Sequence, residues 1–284
     1  AGHRLDYKLD IGSIILAPKP VEGISAKTET EDVQLDSKSQ SNYATSTTTT
    51  VGSQQVKTVK VDSDKVLAKL ESEAPHVLTI PVSGKTDVAV AELNGKLVKA
   101  MESKEMVVQV KTDKATYTLP AAQINIDSVS SHIGKDVALQ DIKINVKIAD
   151  ADAIKSSQMS VAADSTGANL ITAPVEFQVE ATYNQQKVQV DQFNNYVQRE
   201  IALPEGVEPS QITTGVVLND DGTVSHVPTK VIQRGGHVYA SINSLTNSAY
   251  SVVYLRKTFT DTETHWSQGD VNDLASRLVL GGVD

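Results

Sequence analysis

VLAKLES (Val66–Ser72) and LVKAMES (Leu97–Ser103) are two versions of one pattern, about 31 residues apart. Both carry apolar residues at helical spacing: Val66, Leu67 and Leu70 in the first copy, Leu93, Leu97 and Met101 around the second. Both follow residues that cap helices, Asp62, Ser63 and Asp64 before the first and Asn94 before the second. Pro75 ends the first helix, because proline cannot continue the backbone hydrogen bonding. Two strand patterns follow each copy. HVLTIPV (His76–Val82) and VAVAEL (Val88–Leu93) are joined by SGKTD, and MVVQV (Met106–Val110) and ATYTL (Ala115–Leu119) by KTDK. The spacing predicts a duplicated helix–strand–strand unit. Asn94-Gly95 also fits a tight hairpin turn. The repeat favours the helix.

Downstream of the repeat come INID (Ile124–Asp127) and a short polar helix near Val129–Ile133. DIKINVKI (Asp141–Ile148) then places Ile142, Ile144, Val146 and Ile148 on one face, the clearest period-two strand in the chain. Residues 150–170 are polar and small and read as a boundary. VEFQVEATY (Val175–Tyr183) and KVQVDQF (Lys187–Phe193) form a hairpin through NQQ, and VQREIAL (Val197–Leu203) is a further strand. The rest reads as a meander. TGVVL turns at NDDG (Asn219–Gly222), TVSHVPTKVI turns at RGG (Arg234–Gly236), and HVYASI and AYSVVYL (Ala249–Leu255) follow.

Upstream, residues 1–24 hold a strand pattern at Ser13–Leu16 and the tail of a preceding domain. Residues 25–57 are rich in Ser and Thr, with TSTTTT at Thr45–Thr50, and suit either a flexible linker or a polar edge strand near 43–60. The fold class is therefore α+β and β-rich. A duplicated helix–strand–strand unit leads into an antiparallel β-sandwich-like or meander domain, and the chain ends in an amphipathic helix. The expected segments are 1–57 (domain tail plus linker or edge strand), 58–152 (α+β repeat), 153–257 (antiparallel β) and 258–284.

Composition bounds the function. The chain has 284 residues, 39% hydrophobic, enough to bury a core without staples. A net charge of −9 disfavours nucleic acid and anionic membrane surfaces. No apolar stretch is long enough to insert in a bilayer. With no Cys, disulfides and thiolate chemistry are excluded. Aromatic residues make up 4%, with one Trp and three Phe, which disfavours a sugar platform built on stacked rings. The sequence shows neither an initiator Met nor a signal peptide, and reads as a piece of a longer polypeptide.

Chemistry-bearing motifs are sparse. His3, His76, His132, His226, His237 and His265 form no close ligand pair, although His226 and His237 fall where a final meander could make them neighbours. DSTG (Asp164–Gly167) is a turn signal without strand flanks, and NDDGT (Asn219–Thr223) lacks the closing acid of a Ca²⁺ loop. No nucleophile–base set or phosphate loop occurs. The expectation is no catalytic residue, no cofactor and no metal.

One stretch carries a resemblance. FTDTETHWSQGDVNDLASRLVLGGVD (Phe259–Asp284) resembles the opening half of an S-layer homology (SLH) module, whose pattern begins F-x-D-x-x-x-H-W, passes through an amphipathic helix and reaches a Gly turn. Phe259, Asp261, His265 and Trp266 match the opening, and Gly281, Gly282 and Val283 the turn. Thr262 or Thr264 is placed to cap the helix, Trp266 to anchor it, and Val271, Leu274 and Leu278 to form its buried face. The preceding body is similar to the β-rich region before SLH repeats in Paenibacillus-type Gram-positive surface proteins. The resemblance covers 26 residues, Phe259–Asp284. The family's TRAE loop falls outside them, so no binding residue is carried over.

The resemblance implies an extracellular, cell-surface location. It implies attachment to secondary cell-wall polymer through complete SLH modules outside these residues. The expected role is a non-catalytic spacer presenting upstream domains. The alternatives are a module binding glycan or a neighbouring surface protein, with Tyr183, Tyr196, Tyr239 and Tyr254 as candidates, and a polysaccharide-active enzyme using two carboxylates.

Overall fold

The computed structural model describes residues 28–134 and 136–281. The strand expected at Ser13–Leu16 and the motif residue Gly282 lie outside them. The chain is α+β and β-rich, as its patterning requires.

The first strands are β1 (Thr28–Leu35), β2 (Lys38–Val51) and β3 (Gln54–Val61). The Ser/Thr-rich stretch is thus no linker. Nor is it an edge: β2 is paired on both sides, antiparallel to β1 and to β3. Its β-branched threonines suit a pleated surface, and Ala44 and Ser46 turn inward.

Next come α1 (Ser63–Glu73), β4 (Val77–Pro81), β5 (Val88–Asn94), α2 (Gly95–Ser103), β6 (Val107–Lys111) and β7 (Ala115–Pro120). The duplicated unit is present. Asp62 caps α1, accepting from the Lys65 amide at 3.2 Å, and Asn94 caps α2, accepting from Leu97 at 2.8 Å. α1 stops at Ala74, in the left-handed region one residue before Pro75. Asn94-Gly95 is a helix start and not a hairpin turn. Gly95 is required for a different reason, since a Cβ there would lie 2.7 Å from the Leu139 carbonyl oxygen.

The copies interlock instead of stacking. β3 pairs in parallel with β5, and β4 in parallel with β6, so the strands leading into α1 and α2 are neighbours, and so are the strands leaving them. The flanking partners are antiparallel: β1 on β4, and β7 on β6.

The remainder comprises α3 (Ile126–Ile133), β8 (Lys143–Asp150), α4 (Ala153–Ser165), β9 (Asn169–Leu170), β10 (Val175–Tyr183), β11 (Gln186–Gln189), β12 (Gln192–Ala202), β13 (Thr214–Leu218), β14 (Val224–Val227), β15 (Thr229–Arg234), β16 (His237–Thr246), β17 (Ala249–Tyr254) and α5 (Gln268–Ser276). Ile142, Ile144, Val146 and Ile148 are all buried, as their alternation predicts. The polar stretch at 150–170 is not a bare boundary but holds α4, which buries only Met159, Ala162 and Ala163. So few apolar residues on thirteen positions leave no visible stripe.

The strands form one continuous ribbon. From one end it runs β15, β16, β12, β7, β6, β4, β1, β2, β3, β5, β8, β10, and then β17, β13 and β14. β8 and β10 share an eight-residue antiparallel ladder, Lys143–Asp150 against Val175–Thr182, across the junction expected at 152/153. One apolar cluster extends from Val33 through Leu97 and Phe177 to Tyr250. A second lies under α4, with Met159, Val216 and Val253, and Leu278, two residues past the end of α5, packs against it.

The C-terminal strands are not a simple meander. β13–β14 and β15–β16 are hairpins, but β16 and β17 do not pair. At Thr246–Ser248 the chain leaves β12 and enters the opposite side of the core beside β10 and β13. His226 and His237 consequently sit on strands that do not pair with each other.

Candidate functional site

The C-terminal motif is laid out along the exit from β17. The Phe259 amide donates to Asn272 Oδ1 (3.3 Å), and the Lys257 amide donates to Ser276 Oγ (2.8 Å). These two bonds dock α5 on the segment before it. Asp261 is exposed in a 3₁₀ turn, Thr260–Thr262. His265 Nδ1 lies 2.7 Å from Ser267 Oγ, and its ring stands 5.4 Å from that of Trp266. The structure departs from the expected packing here. Trp266 is 88% exposed and anchors nothing among the described residues. Neither Thr262 nor Thr264 caps the helix; α5 starts after Ser267, and Thr262 Oγ1 donates instead to the Phe259 carbonyl. Ala275 and Ser276 are its buried residues, whereas Leu274 is exposed and Val271 and Leu278 are half-buried.

The most heavily built cluster centres on Arg199, which sequence reasoning did not single out. It is fully buried on β12. Nη1 donates to the Val197 carbonyl (2.9 Å), and Nη2 to the Thr246 carbonyl (2.6 Å) and to Asn247 Oδ1 (3.1 Å). Four rings surround it, with centroids 4.7 Å (Tyr250), 5.1 Å (Tyr117), 5.6 Å (Phe177) and 6.0 Å (Phe193) from the guanidinium carbon. Carbonyl dipoles and ring faces, rather than a carboxylate, therefore balance the charge. Its Nε has no hydrogen-bond partner. Tyr117 donates to the same Asn247 Oδ1 at 2.6 Å. Burial pushes the Tyr117 phenol up, against the opposing pull of the Arg199 charge.

A guanidinium sealed from solvent meets no solute. Its chemistry is to tie β12 to the Thr246–Ser248 corner. The alternation Val197-x-Arg199-x-Ile201 carries the signal, because it puts the arginine on the apolar face.

The other buried charges are neutralised in pairs. Glu176 takes Lys155 and Gln178, Glu180 takes Lys147 (3.2 Å) and Gln189 (2.7 Å), and Glu31 takes Lys57 (2.8 Å). No group of three His, Asp or Glu able to hold a metal occurs among the described residues. DSTG closes the end of α4, with Thr166 Oγ1 on the Ala163 carbonyl. NDDGT is a plain hairpin turn, in which the Thr223 amide and hydroxyl donate to Asp221 Oδ1 and hold that carboxyl below its ordinary range.

The surface carries open troughs. One of about 790 Å³ lies beside the start of α1 and includes Tyr183. Another of about 850 Å³ lies on the outer face of β6, β7, β12 and β16 and includes Tyr239. Tyr254 lines a third, smaller one, and Tyr196 is exposed apart from all three. The four tyrosines do not form one strip.

Comparison of the chain with protein-family models, curated proteins and solved structures returns no match.

Proposed function

We propose that this chain is a non-catalytic spacer of a secreted surface protein. It holds upstream domains away from SLH modules, lying outside these residues, that anchor the protein to secondary cell-wall polymer. The F-x-D-x-x-x-H-W run at Phe259–Trp266 supports the surface location. The mechanical role is supported by one observation. Strands from Thr28 to Tyr254 hydrogen-bond into a single ribbon, so a load applied between β1 and β17 has to cross the lateral ladders that lie between them. The parallel pairs strengthen this, because the segment β5–α2–β6 cannot be pulled out without breaking β3–β5 and β4–β6 together.

Single-molecule stretching tests the reading. A spacer of this build gives one cooperative rupture releasing about 80 nm, the extended length of residues 28–254 at ~3.5 Å per residue. Stepwise release in two or more smaller events at low force would refute a stiff spacer. Antibody labelling of intact source cells tests the location, and label confined to the cytoplasm refutes it.

A further inference from the structure

The geometry points to a binding trough for a neutral polysaccharide on the outer face of β6, β7, β12 and β16. This goes beyond the spacer reading and does not rest on it. Val108, Val110, Tyr117, Leu119, Val197 and Ile201 point into the core, which turns Gln109, Thr118 and Gln198 outward on the same strands.

Register aligns these three in one row, Gln109 opposite Thr118 and Thr118 opposite Gln198. They are tied to one another and to their neighbours. Thr79 donates to Gln109 Oε1 (3.3 Å), Gln109 Nε2 to Thr118 Oγ1 (3.1 Å), and Gln198 Nε2 to Ser241 Oγ (2.7 Å). A carboxamide has two donor hydrogens and two acceptor lone pairs. Each amide therefore keeps hydrogen-bonding capacity after these contacts, while its position is fixed in advance. That arrangement suits the hydroxyls of a sugar, which donate and accept together, and it saves the ordering cost on binding.

The neighbouring row adds Lys111, Thr116 and Glu200. Glu200 is paired with Arg234, whose guanidinium lies 4.7 Å from the centre of the Tyr239 ring. Cations and carboxylates balance in the trough: Lys111 and Arg234 against Asp113 and Glu200. A polyanion finds no excess of positive charge there, on a chain whose net charge is −9. The occupant is accordingly neutral. Four strands ~4.8 Å apart give a width of about 14 Å, room for about three sugar rings.

The test is calorimetric titration of the whole chain with cellohexaose, chitohexaose and hexagalacturonate. Binding of a neutral hexamer is expected, weakened about tenfold by Gln198→Ala and by Tyr239→Ala, each removing one such contact. Lys143→Ala, in the trough beside α1, leaves it unchanged. Thermal melts of all variants separate lost contacts from lost folding. Failure of both neutral hexamers to bind at millimolar concentration overturns the proposal. So does tighter binding of the acidic hexamer, or neutral binding that Gln198→Ala and Tyr239→Ala leave intact.

Discussion

Replacing Arg199 by methionine tests whether the aromatic cage stabilises the fold or only tolerates a charge. Methionine keeps much of the length and removes the guanidinium. Three hydrogen bonds of 3.1 Å or less disappear, to the carbonyls of Val197 and Thr246 and to Asn247 Oδ1. Charged hydrogen bonds are worth about 1.5–3 kcal/mol each. The loss is smaller than their sum, because two acceptors keep another donor: Tyr117 on Asn247 Oδ1 and Tyr250 on the Thr246 carbonyl. Relief of a buried charge and of the unpartnered Nε offsets more of it. Ring–cation attraction of about 2 kcal/mol is lost as well. The expected net cost of Arg199→Met is about 2–3 kcal/mol. Arg199→Ala adds a cavity in the same cage and is expected to cost about 5 kcal/mol. Urea titration followed by far-ultraviolet circular dichroism reads both as a lowered midpoint at unchanged slope. In thermal melts the methionine variant is expected to fall by roughly 4–12 °C. A methionine variant as stable as the parent, or more stable, would show that carbonyls and rings do not compensate the buried cation.

Four further outcomes follow from particular contacts. Gly95→Ala is expected to destabilise by about 1–3 kcal/mol in urea, although alanine is the better helix former, because its Cβ would meet the Leu139 carbonyl at 2.7 Å. Gly215→Ala is expected to cost a similar amount, since its Cβ would lie 2.6 Å from Thr229 Oγ1 and 2.8 Å from Ile242 Cδ1. His226 on β14 titrates below its ordinary value, through burial first and the Arg277 charge second. The folded state thus favours the neutral ring, so this contribution is present above pH 6.5 and is lost as pH falls through the folded pKa; hydrogen exchange around α5 should rise on acidification in the parent and not in His226→Gln. Trp266→Phe is expected to change stability by less than about 0.5 kcal/mol, and acrylamide should quench the parent's indole freely; a protected indole would contradict its exposure.

Legibility tracked the strength of local chemistry. Asp62, Asn94 and Pro75 mark helix ends through single residues, and all three positions hold. Ile142 to Ile148 announce a strand by strict alternation. The parallel pairing of the two copies was not legible, because nothing local distinguishes copies laid side by side from copies interlocked. α4 was missed because Met159, Ala162 and Ala163 are too few to make a stripe. The threonine run read as a linker or an edge because it is polar, yet β-branching suits it to a ladder with partners on both sides. Tyr239, Gln109 and Gln198 come from three strands far apart in sequence, so their trough needed the register to be seen. The helix after Trp266 buries Ala275 and Ser276, small residues that carry little weight in a periodicity.

The corner at Thr246–Ser248 sets a timetable for folding. Tyr117 and Asn247, joined by one hydrogen bond, are 130 residues apart in the chain. β17 supplies partners to β10 and β13, and β16 supplies them to β12 and β15. Until residues near 250 are available, β13 lacks the partner on one side, β12 has only β7, and Arg199 lacks the Thr246 carbonyl. Such long-range closure is slow, because the entropy of the whole intervening chain is lost before any contact rewards it. A chain leaving a ribosome or an export channel from its N-terminal end could pair β1 to β8 early, but would close β12, β13 and the Arg199 cage only when its final strands arrived.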